Sequence, residues 1–204
     1  MHEKKMVIFD FDGVIVDTWW LTHKTSKKAF PAMTEELHRS GFEGNIYEWE
    51  KTLTHLEKRD IDFFEEFIKE THLVEFFDVK DAITSLSETH LLSIVSSSPT
   101  NIIEGFLERE GLREHFQDIL GADVHESKHE KIHMLFKKYD IPAKQCVMVT
   151  DTTGDAREAR LAGVDSIFVS WGFHDMGRLE KADSFRIVHD PKELAPTVED
   201  YFAR

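Results

Sequence analysis

Lys5-Met6-Val7-Ile8-Phe9-Asp10-Phe11-Asp12-Gly13 is the stretch on which the fold turns. Its apolar run is too short for a stable helix and suits a strand buried on both faces. The run ends in two carboxylates spaced by one residue, then a glycine that lets the backbone turn close to a ligand. Working outward, similar runs recur at residues 91–96, 145–150 and 165–169, with weaker ones at 116–120 and 184–188. Helical patterns separate them. Residues 99–110 read as a helix with Ser98 as its cap and Pro99 in the first turn, closed by Gly111. Residues 131–139 carry an apolar face of Ile132, Leu135 and Phe136 and end at Ile141-Pro142, and residues 155–162 stop at Gly163. Strands alternating with helices predict an α/β fold, a doubly wound (Rossmann-like) parallel sheet with helices on both faces.

Residues 18–79 break the alternation. They are helix-like and rich in aromatics, including Trp49, Phe63, Phe64 and Phe67, with a break at Gly41 and Gly44 and no strand-like run. The expected organisation is therefore a core of residues 1–17 and 80–204 with a small helical cap, 18–79, inserted after the first strand. The cap's aromatics, with Trp19 and Trp20, read chiefly as its own core, and Lys24, Lys27 and Lys28 as a solvated helix face.

Composition narrows the function. A net charge of −14 opposes nucleic acid as the main partner, because phosphate backbones are bound through clustered Lys and Arg. No apolar run approaches the ~20 residues needed to span a bilayer. Met1 to Lys5 lead straight into a strand, so neither a signal peptide nor a membrane partner is expected, and the cytoplasm is the expected location. The one cysteine, Cys146, lies in an apolar run and reads as a buried core residue. A monomer or homodimer is expected.

In open parallel sheets, ligands bind beyond the carboxyl ends of the strands. The first strand delivers Asp10, Asp12 and Gly13 there, the second Ser96, Ser97 and Ser98, and the run ending at Thr150 delivers Asp151 and Asp155. Four uncompensated acids at one edge would repel one another, so a divalent cation is the natural resolution. Oxygen-only ligands favour Mg2+ over zinc or copper.

Asp10-Phe-Asp-Gly-Val-Ile-Val-Asp17 resembles the first motif of the haloacid dehalogenase superfamily in its phosphatase branch, similar to phosphoglycolate phosphatases and β-phosphoglucomutases. Ser96 matches the second motif, Lys128 the third, and Asp151 with Asp155 the acidic fourth, all in order along the chain. Val169-Ser-Trp-Gly172, Ala182-Asp183 and Pro191-Lys-Glu-Leu194 resemble the family's C-terminal pattern. Thr150 stands where the family usually has Gly or Glu, and His129 follows the lysine where Pro is common, which leaves Lys131 as a second candidate for it.

The resemblance implies a Mg2+-dependent phosphatase acting on a small phosphorylated metabolite. Asp10 would be the nucleophile that forms an aspartyl-phosphate, and Asp12 the acid and then the base. Ser96, Ser97, Gly13 and Lys128 would surround the phosphate. Mg2+ would be held by Asp10, the Asp12 carbonyl and Asp151, with Asp155 orienting the metal's water or Lys128. A phosphosugar mutase is an alternative, though Thr22 stands where sugar mutases of the family carry His and His23 is one residue off. Dehalogenation is disfavoured by the presence of Asp12. A non-catalytic binding protein would be expected to lose a motif acid, and none is lost. His129-Glu-Lys-Ile-His133 matches a zinc-protease pattern, but it falls in the helix that follows Lys128 and reads as a solvated face.

Overall fold

Alternation within the short apolar strands divides the interior in two. In the computed structural model, which describes residues 4–204 and so leaves the first three residues of the expected core outside, one sheet carries both halves. Its strands are β1 (Met6–Phe9), β2 (Leu91–Val95), β3 (Asp118–Leu120), β4 (Cys146–Thr150), β5 (Asp165–Val169) and β6 (Arg186–Val188), in the order β3-β2-β1-β4-β5-β6. Every neighbouring pair is parallel, with Phe9 in register with Ile94 on one side and Val149 on the other. Because side chains alternate along a strand, Val7, Phe9, Val147 and Val149 join one core, while Met6, Ile8, Cys146 and Met148 join the other.

The first core is covered by α5 (Lys80–Ser87), α6 (Thr100–Arg109) and α10 (Leu194–Ala203). The second is covered by α7 (Lys128–Tyr139) and α8 (Thr153–Leu161). A short α9 (Met176–Leu179) packs Leu179 against Phe168 and Ala156. Cys146 is fully buried, as its apolar neighbours implied. No described helix is long and apolar enough to cross a membrane.

Three helix starts differ from the sequence reading. α6 begins at Thr100 with Pro99 as its cap residue, and its first N–H goes to Asp123 Oδ1 at 2.7 Å; Ser98 does not cap it. α7 begins at Lys128, three residues before the expected start, because the Ser127 hydroxyl caps the Glu130 N–H and Glu158 Oε1 accepts the Lys128 N–H at 3.1 Å. It ends at Asp140 in the left-handed conformation (φ 51°). α8 begins at Thr153, capped by the Thr152 hydroxyl.

Four helices stand between β1 and α5: α1 (Trp19–Ala29), α2 (Glu35–Ser40), α3 (Ile46–Glu50) and α4 (Phe63–Ile68). The chain enters and leaves this insertion side by side, with the Asp17 N–H on the Glu75 carbonyl at 2.9 Å and the Phe77 N–H on the Ile15 carbonyl at 3.0 Å. Lys28 of α1 pairs with Glu66 of α4, and Lys24 with Glu70 just beyond that helix. The insertion has a small core of Ala29, Phe30, Met33 and Leu53. It rests on the carboxyl edge of the sheet. Tyr47 donates to the Ser97 carbonyl at 3.1 Å, and Arg178 of α9 reaches across to Glu36 and, at 2.9 Å, to Glu43.

The insertion's backbone presses on α8 at Gly154, where a β-carbon would lie 2.5 Å from the Gly44 carbonyl oxygen and 2.7 Å from that of Phe42. A helical Gly→Ala ordinarily stabilises, but here the added methyl meets backbone. Gly154→Ala is therefore expected to lose about 1–3 kcal/mol of stability, seen as a lower urea midpoint. An unchanged or raised midpoint would show that the insertion does not press on α8.

Candidate active site

The ends of β2, β1 and β4 meet beside the point where the strand order reverses, between β1 and β4, the position at which open α/β sheets bind ligands. Asp10 follows β1, Ser96 follows β2 and Asp151 follows β4. Asp10 Oδ1 accepts the Phe11 N–H at 2.8 Å and lies 2.8 Å from Lys128 Nζ. The same ammonium lies 2.7 Å from Asp155 Oδ2, which also accepts the Thr150 hydroxyl at 2.9 Å. Lys128 is thus the lysine that reaches Asp10. Lys131 instead donates to the carbonyls of Ser96 at 2.6 Å and Gly121 at 3.2 Å, bracing the end of β2.

Asp12 is held by hydroxyls. Its Oδ1 accepts from Thr18 at 2.8 Å, and its Oδ2 accepts from Ser98 at 2.7 Å and from Ser96 at 3.3 Å. Ser98, read from sequence as a helix cap, therefore belongs to the site, and Thr18 was not anticipated. The run Ser96-Ser97-Ser98 was the available signal for Ser98; for Thr18 there was none, since six residues separate it from Asp12 across an irregular turn. Gly13 differs too. Its N–H goes to the Val16 carbonyl at 2.8 Å, so that amide is engaged in its own turn and is not available to a phosphate. Glycine is required there for shape: φ is +76°, and a β-carbon would lie 2.0 Å from Asp151 Oδ2. Ser97 lines the cavity above the acids, its carbonyl accepting from Tyr47.

Burial sets the electrostatics. The Asp10 carboxyl is pushed well above the usual carboxylate range by burial first and by the charge of Asp155 second. Asp12 is also raised by burial, against the pull of Ser98 and Thr18. Asp151 is raised to about 7 by burial, offset in part by the Phe173 N–H that it accepts at 2.6 Å. For Asp155 burial pushes upward, but Lys128 and the hydrogen bonds of Asp10, Lys128 and Thr150 hold it below the usual range. Burial alone would lower the Lys128 pKa; Asp10 and Asp155 raise it instead. Burial, with the neighbouring Lys128 charge, lowers Lys131 to about 8.

Asp10, Asp151 and Asp155 each place one carboxylate oxygen within 4.8 Å of the others. The second oxygen of Asp151, Oδ1, is buried without a hydrogen-bond partner. A buried, partnerless carboxylate oxygen costs free energy unless something positive meets it. An all-oxygen set fits a hard divalent cation such as Mg2+. Among the described residues this is the only such group of three. His129 and His133 sit on an exposed face of α7 with their Nε2 atoms 3.0 Å apart and no third ligand grouped with them.

The insertion roofs the acids. Phe63, Phe64 and Phe67, with Trp49, line the cavity together with Asp10 and Asp12, so these aromatics serve the cavity as well as the packing that their spacing suggested. Trp19 packs between His38 and Phe173 where the insertion meets the core, and Trp20 is partly exposed. Thr22 donates to the Trp19 carbonyl at 3.0 Å and meets His38 Nε2 at 3.2 Å, while the His23 ring stacks on Trp19.

A family model described as haloacid dehalogenase-like hydrolase matches residues 7–169. A phosphoglycolate phosphatase of Colwellia psychrerythraea is 23% identical over 202 residues, spanning 85% of this chain and 88% of the relative. The corresponding enzyme of Vibrio cholerae is 25% identical over 199 residues, spanning the same shares. The crystal structure of a hydrolase from Pseudomonas syringae superposes with a TM-score of 0.79 at 18% identity, covering 97% of this chain and 99% of that one, which is a likeness of fold.

Asp10, Asp12 and Asp151 all have folded-state pKa values raised above the ordinary ~4 of an unfolded carboxylate. Protein without a cation should therefore be more stable at low pH and lose stability as pH rises, for Asp151 through about 7. Deprotonated acids bind a cation and protonated ones do not. The expected result is a melting temperature without cation that falls between about pH 5 and pH 8, and a Mg2+ stabilisation larger at pH 8. An equal Mg2+ effect at both ends would place the cation elsewhere.

Proposed function

This chain belongs to the haloacid dehalogenase-like hydrolases, and on that premise we propose that it is a Mg2+-dependent phosphatase that hydrolyses a small phosphorylated metabolite through an aspartyl-phosphate on Asp10. In this reading residues 1–17 and 80–204 form the catalytic core and 18–79 the cap. One observation carries the proposal: Asp10 and Asp12, two residues apart, stand in opposite environments beneath one cavity. Asp10 faces an ammonium and two further acids, while Asp12 is turned toward hydroxyls. That divides a nucleophile from a proton donor.

A phosphomonoester enters with its phosphoryl oxygens toward Lys128, the Ser96 hydroxyl and the Ser97 backbone. Lys128 draws the phosphate toward Asp10 and offsets its negative charge as the bond forms. An Asp10 carboxylate oxygen attacks phosphorus, the phosphorus–oxygen bond to the alcohol breaks, and Asp12 gives its proton to the departing oxygen. Burial raises the pKa of Asp12, which favours its proton-carrying form. Water then attacks the aspartyl-phosphate and yields a proton to Asp12, releasing phosphate and restoring both acids. Asp10, Asp151 and the Asp12 carbonyl would hold Mg2+, which supplies positive charge that keeps Asp10 ionised and shields it from the phosphate. Asp155 and Thr150 fix Lys128 in place.

Asp10→Asn should abolish turnover and leave the fold intact, because the amide is nearly isosteric and a far poorer nucleophile. Retained activity above a few per cent in pure protein would remove Asp10 from that role. Asp12→Asn should keep the nucleophile and lose the proton donor, a loss of about 10²–10⁴-fold for alkyl esters. The loss in single-turnover phosphorylation should shrink with acetyl phosphate, whose leaving group departs without a proton. Equal slowing across leaving groups would show that Asp12 is not the acid.

A further inference from the structure

The cavity above Asp10 and Asp12 has a volume of about 200 Å³, and its cap walls are hydrocarbon: Phe30, Met33, Trp49, Ile61, Phe63 and Phe64. Its floor is charged and its upper walls are mostly apolar. Among the described residues that line it, the ammonium groups are those of Lys128 and Lys58. Lys128 is enclosed between Asp10 and Asp155. Lys58 pairs with Glu50 at 2.8 Å, both side chains about half exposed, at the rim. The other charged groups above the floor, Glu50 and Glu158, are acids. His38 also faces the cavity, and burial holds its pKa down to about 3, so it is a neutral ring.

Several polar side chains of the wall are occupied as well, although the His38 Nδ1 is buried without a partner. The Tyr47 hydroxyl donates to the Ser97 carbonyl, Thr22 to the Trp19 carbonyl, and the Asn45 amide to the Glu126 carbonyl at 3.2 Å. A leaving group bearing a carboxylate or second phosphate would bury that charge with no unpaired cation and with acids nearby, which is costly. A sugar would bury several hydroxyls against hydrocarbon with few partners. An apolar group instead displaces water from aromatic walls, which is favourable.

We infer that the physiological substrate is the phosphate monoester of an uncharged, largely apolar alcohol of about aromatic size. This rests on the phosphatase reading of the same site and narrows it. A phosphorylated hydroxy acid such as phosphoglycolate, or a phosphosugar, is the poorer fit. The apolar portion lies between Trp49 and the Phe63–Phe64 pair, with its oxygen toward Asp12.

The test compares benzyl phosphate, phosphoglycolate and glucose 6-phosphate. All three are esters of alcohols that need a proton to leave, so the comparison reports the cavity and not the leaving group. kcat/KM for benzyl phosphate should exceed the other two by about 100-fold, the scale at which an apolar site rejects mismatched groups. Equal or better turnover of phosphoglycolate or glucose 6-phosphate would overturn the inference and leave the phosphatase reading standing. Calorimetric binding of benzylphosphonate and phosphonoacetate separates the two ideas. A benzyl preference in binding, with no turnover of any ester, would keep the ligand class and remove the phosphatase reading. No benzyl preference in binding would overturn the inference. Ile61→Arg, which adds an unpaired cation to the wall, should narrow the benzyl-to-glycolate ratio by about tenfold, and an unchanged ratio would place the leaving group elsewhere.

Discussion

A buried ammonium between two buried carboxylates organises this molecule. Lys128, Asp10 and Asp155 are almost wholly removed from water, and none could be charged there alone, because desolvating an isolated ion costs several kcal/mol. With the ammonium 2.8 Å from Asp10 and 2.7 Å from Asp155, the opposite charges offset one another. The arrangement demands that α7, α8 and the end of β1 arrive at one place. The doubly wound topology delivers them, since parallel strands discharge their loops at one edge. What remains uncompensated is negative: Asp151 keeps a partnerless oxygen, and its pKa rises to about 7. That residual negative potential is a standing affinity for a cation.

The surrounding residues serve that balance. Thr150 directs its hydroxyl to Asp155 and helps to keep it ionised. Phe173 gives its N–H to Asp151, and Gly13 and Gly172 are bare on the side where a β-carbon would collide with that carboxylate. Lys131, which uses no acid, ties the carbonyl of Ser96 to that of Gly121 and so fixes the hydroxyl that faces Asp12. The chemistry ascribed to Asp10 and Asp12 depends on keeping their surroundings different over two residues of chain, and this scaffolding maintains the difference.

Above the floor the physical regime changes. The insertion contacts the sheet edge through backbone at Gly154 and through charge at Arg178, leaving a space with polar chemistry below and aromatic walls above. In the proposed function, charge at the bottom serves the phosphoryl group and the walls choose the alcohol; selection by an apolar wall acts as much by the cost of burying an unmatched charge as by the gain from a matched surface.

The sequence by itself determined the architecture and placed the acids Asp10 and Asp151 at one edge of the sheet. Short continuous apolar runs that lead into Asp10, Ser96 and Asp151 dictate parallel strands and say which edge is acidic, because both signals are local and repeat along the chain. The motif order favoured Lys128 and left Lys131 as a second candidate: three residues apart, the two lie on neighbouring parts of one helix face, and the packing of α7 decides which ammonium meets Asp10 and which meets Ser96. The same holds for Ser98, whose hydroxyl has a local use as a helix cap and a distant one at Asp12. The distant one prevails because Asp123 meets the Thr100 N–H. The engagement of the Gly13 amide and the double use of the cap's aromatics were likewise tertiary decisions. Each depends on which of several equivalent partners lies nearest once the insertion has closed onto the sheet, and hydrogen-bond energy falls away within a fraction of an ångström.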